Sequence, residues 1–197
     1  MAEVIAVNQI TGAAGTPTYN EVTAIRFCTS DNHAPGLTTP CKVPPAGVGT
    51  YYSYWITLCL AYSGDFSLIN NMRFWGPGNI AATWFPGSRG RMVAARLDDS
   101  SGGHGFLTTS YRQSTGTPGL TGHAIKDAVN GHAVYKGQTI TVVNVDTLNE
   151  AAPLVIDTRD ITSAGKSKCF LLQTEQYEGA AHGELTPVTL VVAVDVV

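Results

Sequence analysis

The residues of this chain able to do chemistry are five histidines, four cysteines and a thin set of acidic groups, and their spacing decides what that chemistry would be. The histidines are His33, His104, His123, His132 and His182. The nearest two, His123 and His132, are nine residues apart, and neither HxH nor HExxH occurs. A metal enzyme on a jelly roll, of the cupin kind, needs closely spaced histidines on one strand plus a carboxylate, because ligands must converge on one ion. That pattern is absent, so each histidine reads as a loop or surface residue and no metal is expected. The cysteines, Cys28, Cys41, Cys59 and Cys169, form no CxxC pair, which argues against a zinc ribbon. Cys59 and Cys169 sit in strand-like runs and read as buried free thiols acting as small apolar residues. Cys28 and Cys41 bracket a loop, where either pairing or two free thiols fits.

Other signatures fail on named residues. Gly165-Lys166-Ser167 matches the end of a Walker A loop, but Asp160 stands where the first glycine is required. A basic hairpin turn is expected there instead. Gly87-Ser88-Arg89-Gly90 has the wrong spacing for a nucleophile elbow. Asp98-Asp99 is the one acidic pair, in a Gly/Ser loop without the alternating ligands of a calcium loop, and reads as a solvated turn. Glu175, Glu178 and Glu184 are carboxylates of the type used for general acid and base work, but the sequence supplies no geometry for such a pair. No catalytic residue, cofactor or enzyme activity is expected.

Aromatic residues remain: Tyr51, Tyr52, Tyr54, Trp55, Phe74, Trp75, Trp84 and Phe85. Most lie in strand-like runs, where core packing is the default. Trp84 and Phe85, outside such a run, and the pair Tyr51 and Tyr52 are the candidates for a subunit interface or a sugar-stacking platform.

The elements that must position these groups follow from composition and pattern. The chain is 44% hydrophobic and 14% charged, against about 25% charged in an ordinary domain. Glycine (21) and proline (10) are plentiful, which suits short strands and tight turns. So little charge suggests that part of the surface is covered in an assembly, the alternative being a polar but uncharged surface of Thr, Ser, Asn and Gln. The net charge is −3 and no basic run exists, so no nucleic-acid partner is expected. Met1–Ile10 lacks the features of a secretory signal, so synthesis in a cytoplasm is expected, with any exit by cell lysis or a dedicated route. The apolar runs Ile56–Tyr62 and Leu190–Val197 are too short to span a bilayer as helices, and no membrane partner is expected.

Strands are expected at Glu3–Ile10, Val22–Cys28, Tyr51–Tyr62, Phe66–Trp75, Arg91–Leu97, Phe106–Tyr111, Thr139–Val145, Lys168–Glu175 and Pro187–Val197. Tyr51–Tyr62 is apolar on both faces and belongs between two packed layers. Phe66–Trp75 should be its hairpin partner, bent near Asn70-Asn71. Thr11–Asn20 reads as a loop or extended arm, and Thr29–Gly49, with four prolines, as a long loop. Trp84–Gly90, Asp98–Gly105 and Gln113–Gly122 also read as loops. Gly122–Val129 is the one candidate for a helical turn. About eight to ten strands without βαβ alternation predict one all-β domain over residues 1–197, a two-sheet β-sandwich of jelly-roll type.

Certain runs also carry a resemblance. Arg26-Phe27-Cys28-Thr29-Ser30-Asp31-Asn32, Ala34-Pro35-Gly36, Tyr52-Ser53-Tyr54-Trp55 and Gly64-Asp65-Phe66-Ser67-Leu68-Ile69-Asn70-Asn71-Met72-Arg73-Phe74 resemble small all-β proteins encoded among the structural genes of tailed viruses and proviruses, many of them archaeal or thermophilic. The resemblance covers residues 22–75, and in outline 168–197. The chain departs from it at its end, Val194-Asp195-Val196-Val197, where those proteins close on a polar, acidic strand. The resemblance implies a virion structural protein, foremost a capsid decoration or cement protein located in the virion. Its partners would be copies of itself, in a homo-oligomer such as a trimer, and a major capsid protein or other virion subunits. Two other readings stay open: a tail or extracellular filament subunit assembling by strand addition, and a carbohydrate-binding or host-attachment module.

Overall fold

Residues of high strand propensity, Val4, Ile5, Val7, Ile10 and Thr11 and then Thr16, Thr18 and Tyr19, give the first two strands. In the computed structural model, which describes residues 4–13, 16–28, 41–96, 122–129, 142–180 and 185–197, these are β1 (Val4–Ala13) and β2 (Thr16–Glu21). They pair antiparallel, Ile10 opposite Tyr19 and Thr11 opposite Thr18. The segment 11–20, expected as a loop or arm, is thus mostly hairpin. Its threonines have high strand propensity, and β1 offers them a ladder. Val22–Cys28, expected as a strand, joins no ladder. It packs Val22, Ile25 and Phe27 onto the core, and its ends bond individually: Val22 N–H donates to Val7 O, and Cys28 O accepts from Tyr54 N–H.

The run Tyr51–Tyr62 is broken in two, β3 (Tyr51–Tyr52) and β4 (Ile56–Ser63). The break is made by Ser53, fully buried, whose hydroxyl oxygen accepts from Thr174 N–H and whose hydroxyl donates to Tyr54 O. β4 is buried on both faces, as its pattern predicts. Its even-numbered residues Ile56, Leu58 and Leu60 enter one cluster, and Cys59 enters another on the opposite face.

β5 (Ile69–Trp75) is not the partner of β4. Gly64, at φ 89°, turns the chain out of the first sheet, and β5 pairs instead with β8 (Leu154–Asp157) and β11 (Val191–Val196). The irregularity expected at Asn70-Asn71 is present: Asn71 has φ 52°, and the registers with β8 and β11 both shift nearby. A five-residue helix, α1 (Ile80–Trp84), follows, and it overlaps the expected loop Trp84–Gly90 only at Trp84. Then come β6 (Gly90–Arg96), β7 (Val143–Asn144), a 3-10 turn (Val145–Thr147), β9 (Gly165–Lys166) and β10 (Phe170–Gln176). Residues 122–129 form turns and no helix. The expectations for 98–105, 106–111 and 113–121, and most of 139–142, lie outside the described residues.

The strands make two antiparallel sheets. The larger has the order β2-β1-β4-β10-β6-β7, with β3 added to β10 and β9 to β4, and the smaller is β11-β5-β8. The main core lies between them, where Leu58, Leu60, Met92, Phe170 and Leu172 meet Ile69, Met72, Phe74 and Ile156. A second cluster, Ile10, Trp55, Cys59, Val93, Ala95, Ile125, Cys169 and Leu171, occupies the outer face of the larger sheet. The described residues are therefore all-β apart from α1 and one 3-10 turn, arranged as two facing sheets. Among them no helix is long and apolar enough to cross a membrane.

Candidate functional site

Three antiparallel strands bring Tyr52, Glu175 and Arg91 into one row across the larger sheet, Tyr52 opposite Glu175 and Glu175 opposite Arg91. Alternation puts the row on the outer face, in line with Gln173 and Val93. Arg91 Nε donates to Glu175 Oε2 at 2.6 Å, and the Tyr177 hydroxyl donates to the same oxygen at 3.0 Å. The Glu175 side chain is nearly buried, whereas that of Arg91 is 44% exposed. The bond to Glu175 raises the guanidinium's affinity for its proton. Burial, together with the charge of Glu175, pushes the Tyr52 and Tyr177 phenols above the ordinary tyrosine value. Both phenols therefore stay protonated at neutral pH.

The strand alignment behind this row is fixed by buried amides. Gln173 Nε2 donates to Ser53 O and His123 O at 2.8 and 2.7 Å, and its Oε1 accepts from Ile125 N–H. Gly122 N–H donates to Tyr52 O. One side chain thus joins β10, the break between β3 and β4, and the covering segment 122–129. With Oε2 of Glu175 engaged by both Arg91 and Tyr177, the row is built as a polar contact patch of guanidinium and phenols.

The other sequence candidates lie at the same end of the sheet but on its inner side. Trp84 closes α1, whose first amides are held by Asp146: Ile80 N–H and Ala81 N–H donate to its two carboxylate oxygens at 2.7 Å each. Trp84 Nε1 donates to Thr186 O at 2.7 Å, and its ring stands edge-on to Phe27 and Phe85, with centroids 6.2 and 6.3 Å away. Phe85 is 3% exposed, so its expected role as an exposed platform is corrected: it is a core ring. The cause is Gly90, where an added Cβ would lie 2.6 Å from the Phe85 ring and 2.5 Å from Glu175 O. Only a glycine lets that ring lie against the β6–β10 ladder. Tyr51 is half-buried, opposite Gln176. The four candidates therefore split, with Tyr52 in the outer row, Tyr51 half-buried on the opposite face, Trp84 half-buried and Phe85 internal.

A third polar cluster is internal. The Asp157 carboxylate, 1% exposed as a residue, receives Arg159 Nε, Arg159 Nη2 and the N–H groups of Arg159 and Lys168, all within 2.6–3.1 Å. Burial alone would push its pKa up. The arginine and the amide bonds outweigh that and hold it below the usual carboxylate range. The sequence offered no signal for this cluster beyond Asp-Thr-Arg spacing, nor for Arg91 and Tyr177 as partners of Glu175.

Among the described residues no three of His, Cys, Asp and Glu could share a metal ion. His33, His104, His132, His182, Asp98, Asp99 and Glu184 lie outside the described residues. Gly165-Lys166, read as a turn, forms a two-residue ladder with Ala61 and Tyr62. The chain matches no protein-family model, no curated protein and no solved structure.

Proposed function

We propose that this chain is a non-catalytic virion structural protein: a capsid decoration or cement protein, homo-oligomeric, that lies on a shell of major capsid protein. The two facing sheets are read as a sandwich of jelly-roll type. The observation that carries the reading is β11. It is a strand of four valines, an alanine and an aspartate, it pairs only with β5 among the described residues, and none of its residues is buried. An apolar, half-exposed sheet margin on a chain with 14% charge suits a surface that is covered in use. The resemblance over residues 22–75 supports a virion as the place.

Mass spectrometry of purified particles, together with light scattering of the isolated protein, tests this. The expected result is the protein in particles and a closed oligomer in solution. Absence from particles overturns it. The second reading, a tail or filament subunit, is favoured by the same strand, because a β11 margin accepts a strand from a neighbouring copy. Concentration-dependent fibres instead of a closed oligomer select it.

A further inference from the structure

Cys59 lies in β4, and Cys169 immediately precedes β10. Both are 0% exposed and both are free thiols. Phe170 is opposite Leu58 in the ladder, whereas Lys166 is opposite Ala61 and Ser167 is bonded to Leu60, so two residues, Lys168 and Cys169, stand against the single residue Cys59 in a β-bulge. Leu60 turns both its backbone groups toward the β10 side, its N–H donating to Ser167 Oγ and its C=O accepting from Ser167 N–H, each at 2.8 Å. By alternation Cys59 turns its own toward β1, where it faces Asn8. The side chains of Cys59 and Cys169 meet on the outer face of the larger sheet. The two thiols share the outer-face cluster with Trp55 and Leu171 and are within hydrogen-bonding reach of each other. Tyr19 packs over this cluster, with Lys166 Nζ 4.4 Å above its ring.

We propose that Cys59 and Cys169 are a redox site that closes to a cross-strand disulfide, tying β4 to β10, when the chain meets a small-molecule disulfide. In the first step one thiolate attacks the oxidant's S–S bond and expels one thiol, leaving a mixed disulfide on the protein. In the second step the facing thiolate attacks the protein sulfur of that mixed disulfide and expels the other thiol. Two protein thiols are oxidised, one oxidant disulfide is reduced to two thiols, and the two protons pass to the leaving sulfurs. Burial raises the Cys169 thiol well above its ordinary value, so reaction proceeds through transient opening and is slow. This site goes beyond the structural role proposed above and does not depend on it.

The other two cysteines are the competitor. Cys41 is pushed up to about 12 chiefly by burial, and it also feels Cys28. The test therefore uses the full chain carrying Cys28→Ser and Cys41→Ser, incubated with oxidised glutathione in urea below the unfolding transition. Remaining thiols are then alkylated in strong denaturant and counted by intact mass. Both thiols should be lost to alkylation, with no glutathione retained. The melting temperature should rise on the order of 10 °C, since the bond closes a loop of about 110 residues. Thiols that stay open to alkylation, or a closed form that melts lower than the reduced one, overturn the proposal. Should the double variant fail to fold, peptide mapping of the oxidised parent chain decides. A peptide linking Cys59 to Cys169 supports the pair, and a link from either of them to Cys28 or Cys41 overturns it.

Discussion

β10 and β11 both read as strands and end up in opposite circumstances. β11 reads VVAVDV and is the more apolar, yet none of its residues is buried. β10 reads FLLQTEQ, with four polar residues, yet all seven are buried. The difference is position. β10 has β4 and β3 along one side and β6 along the other, with cores above and below, whereas β11 has only β5 among the described residues. Burial is granted by neighbours on both edges and both faces, and a strand's own hydrophobicity does not secure them. The polar residues of β10 are tolerated because each has a partner built for it, such as Ser53 and His123 for Gln173, and Arg91 and Tyr177 for Glu175.

The comparison can be pressed by substitution. Phe170→Ala in β10 should have the largest effect, a loss of about 3–5 kcal/mol in urea unfolding, because the ring is fully buried and packs 5.1 Å from Phe74. A loss no larger than that of Val192→Ala in β11 would erase the distinction between the strands.

Next comes the internal ion pair that abuts the start of β10. Asp157→Asn should cost about 2–3 kcal/mol, less than a fully buried pair would, since the Arg159 side chain is 41% exposed. The sign of its pH dependence follows from a folded pKa below the unfolded value of about 3.9. The stabilisation is fully present above that unfolded value and is lost as pH falls through the lower folded one. Urea midpoints taken from pH about 6 down to about 2 should therefore decline in the parent chain and decline less in Asp157→Asn.

Gln173→Leu keeps the bulk but strands Ser53 O, His123 O and Ile125 N–H, and should cost about 1–3 kcal/mol. Hydrogen exchange should locate the loosening at residues 122–129 and the β3–β10 ladder. A change confined to the smaller sheet would refute the role given to this amide.

The smallest change in stability is expected at the margin. Val196→Lys, at a position 41% exposed, should alter unfolding by no more than about 0.5 kcal/mol while weakening self-association in sedimentation velocity, because a lysine on a sheet edge opposes strand addition. Unchanged association would remove β11 from the interface.

Much of this was legible in the residues themselves. The two-faced apolar pattern of Tyr51–Tyr62 announced a central strand, the runs at Arg91–Leu97 and Lys168–Glu175 announced two further strands, and Asn70-Asn71 announced a bend. Cys59 and Cys169 were legible as buried thiols, since each sits among apolar neighbours in a strand-like run. Local pattern was enough there because side-chain alternation and turn chemistry act over a few residues.

Pairing was not legible. Nothing in Phe66–Trp75 tells that Gly64 carries it away from β4 and into a second sheet with Leu154–Asp157 and the end of the chain. Nothing in Val22–Cys28 tells that it packs on the core without entering a ladder. Nor does the sequence say that Glu175 meets Arg91, Asp157 meets Arg159 and Lys168, or Cys59 faces Cys169, because those meetings depend on register between strands far apart in the chain. Register is fixed by which whole arrangement buries the most apolar surface while leaving the fewest backbone groups unpaired, and that competition is settled only by the complete fold.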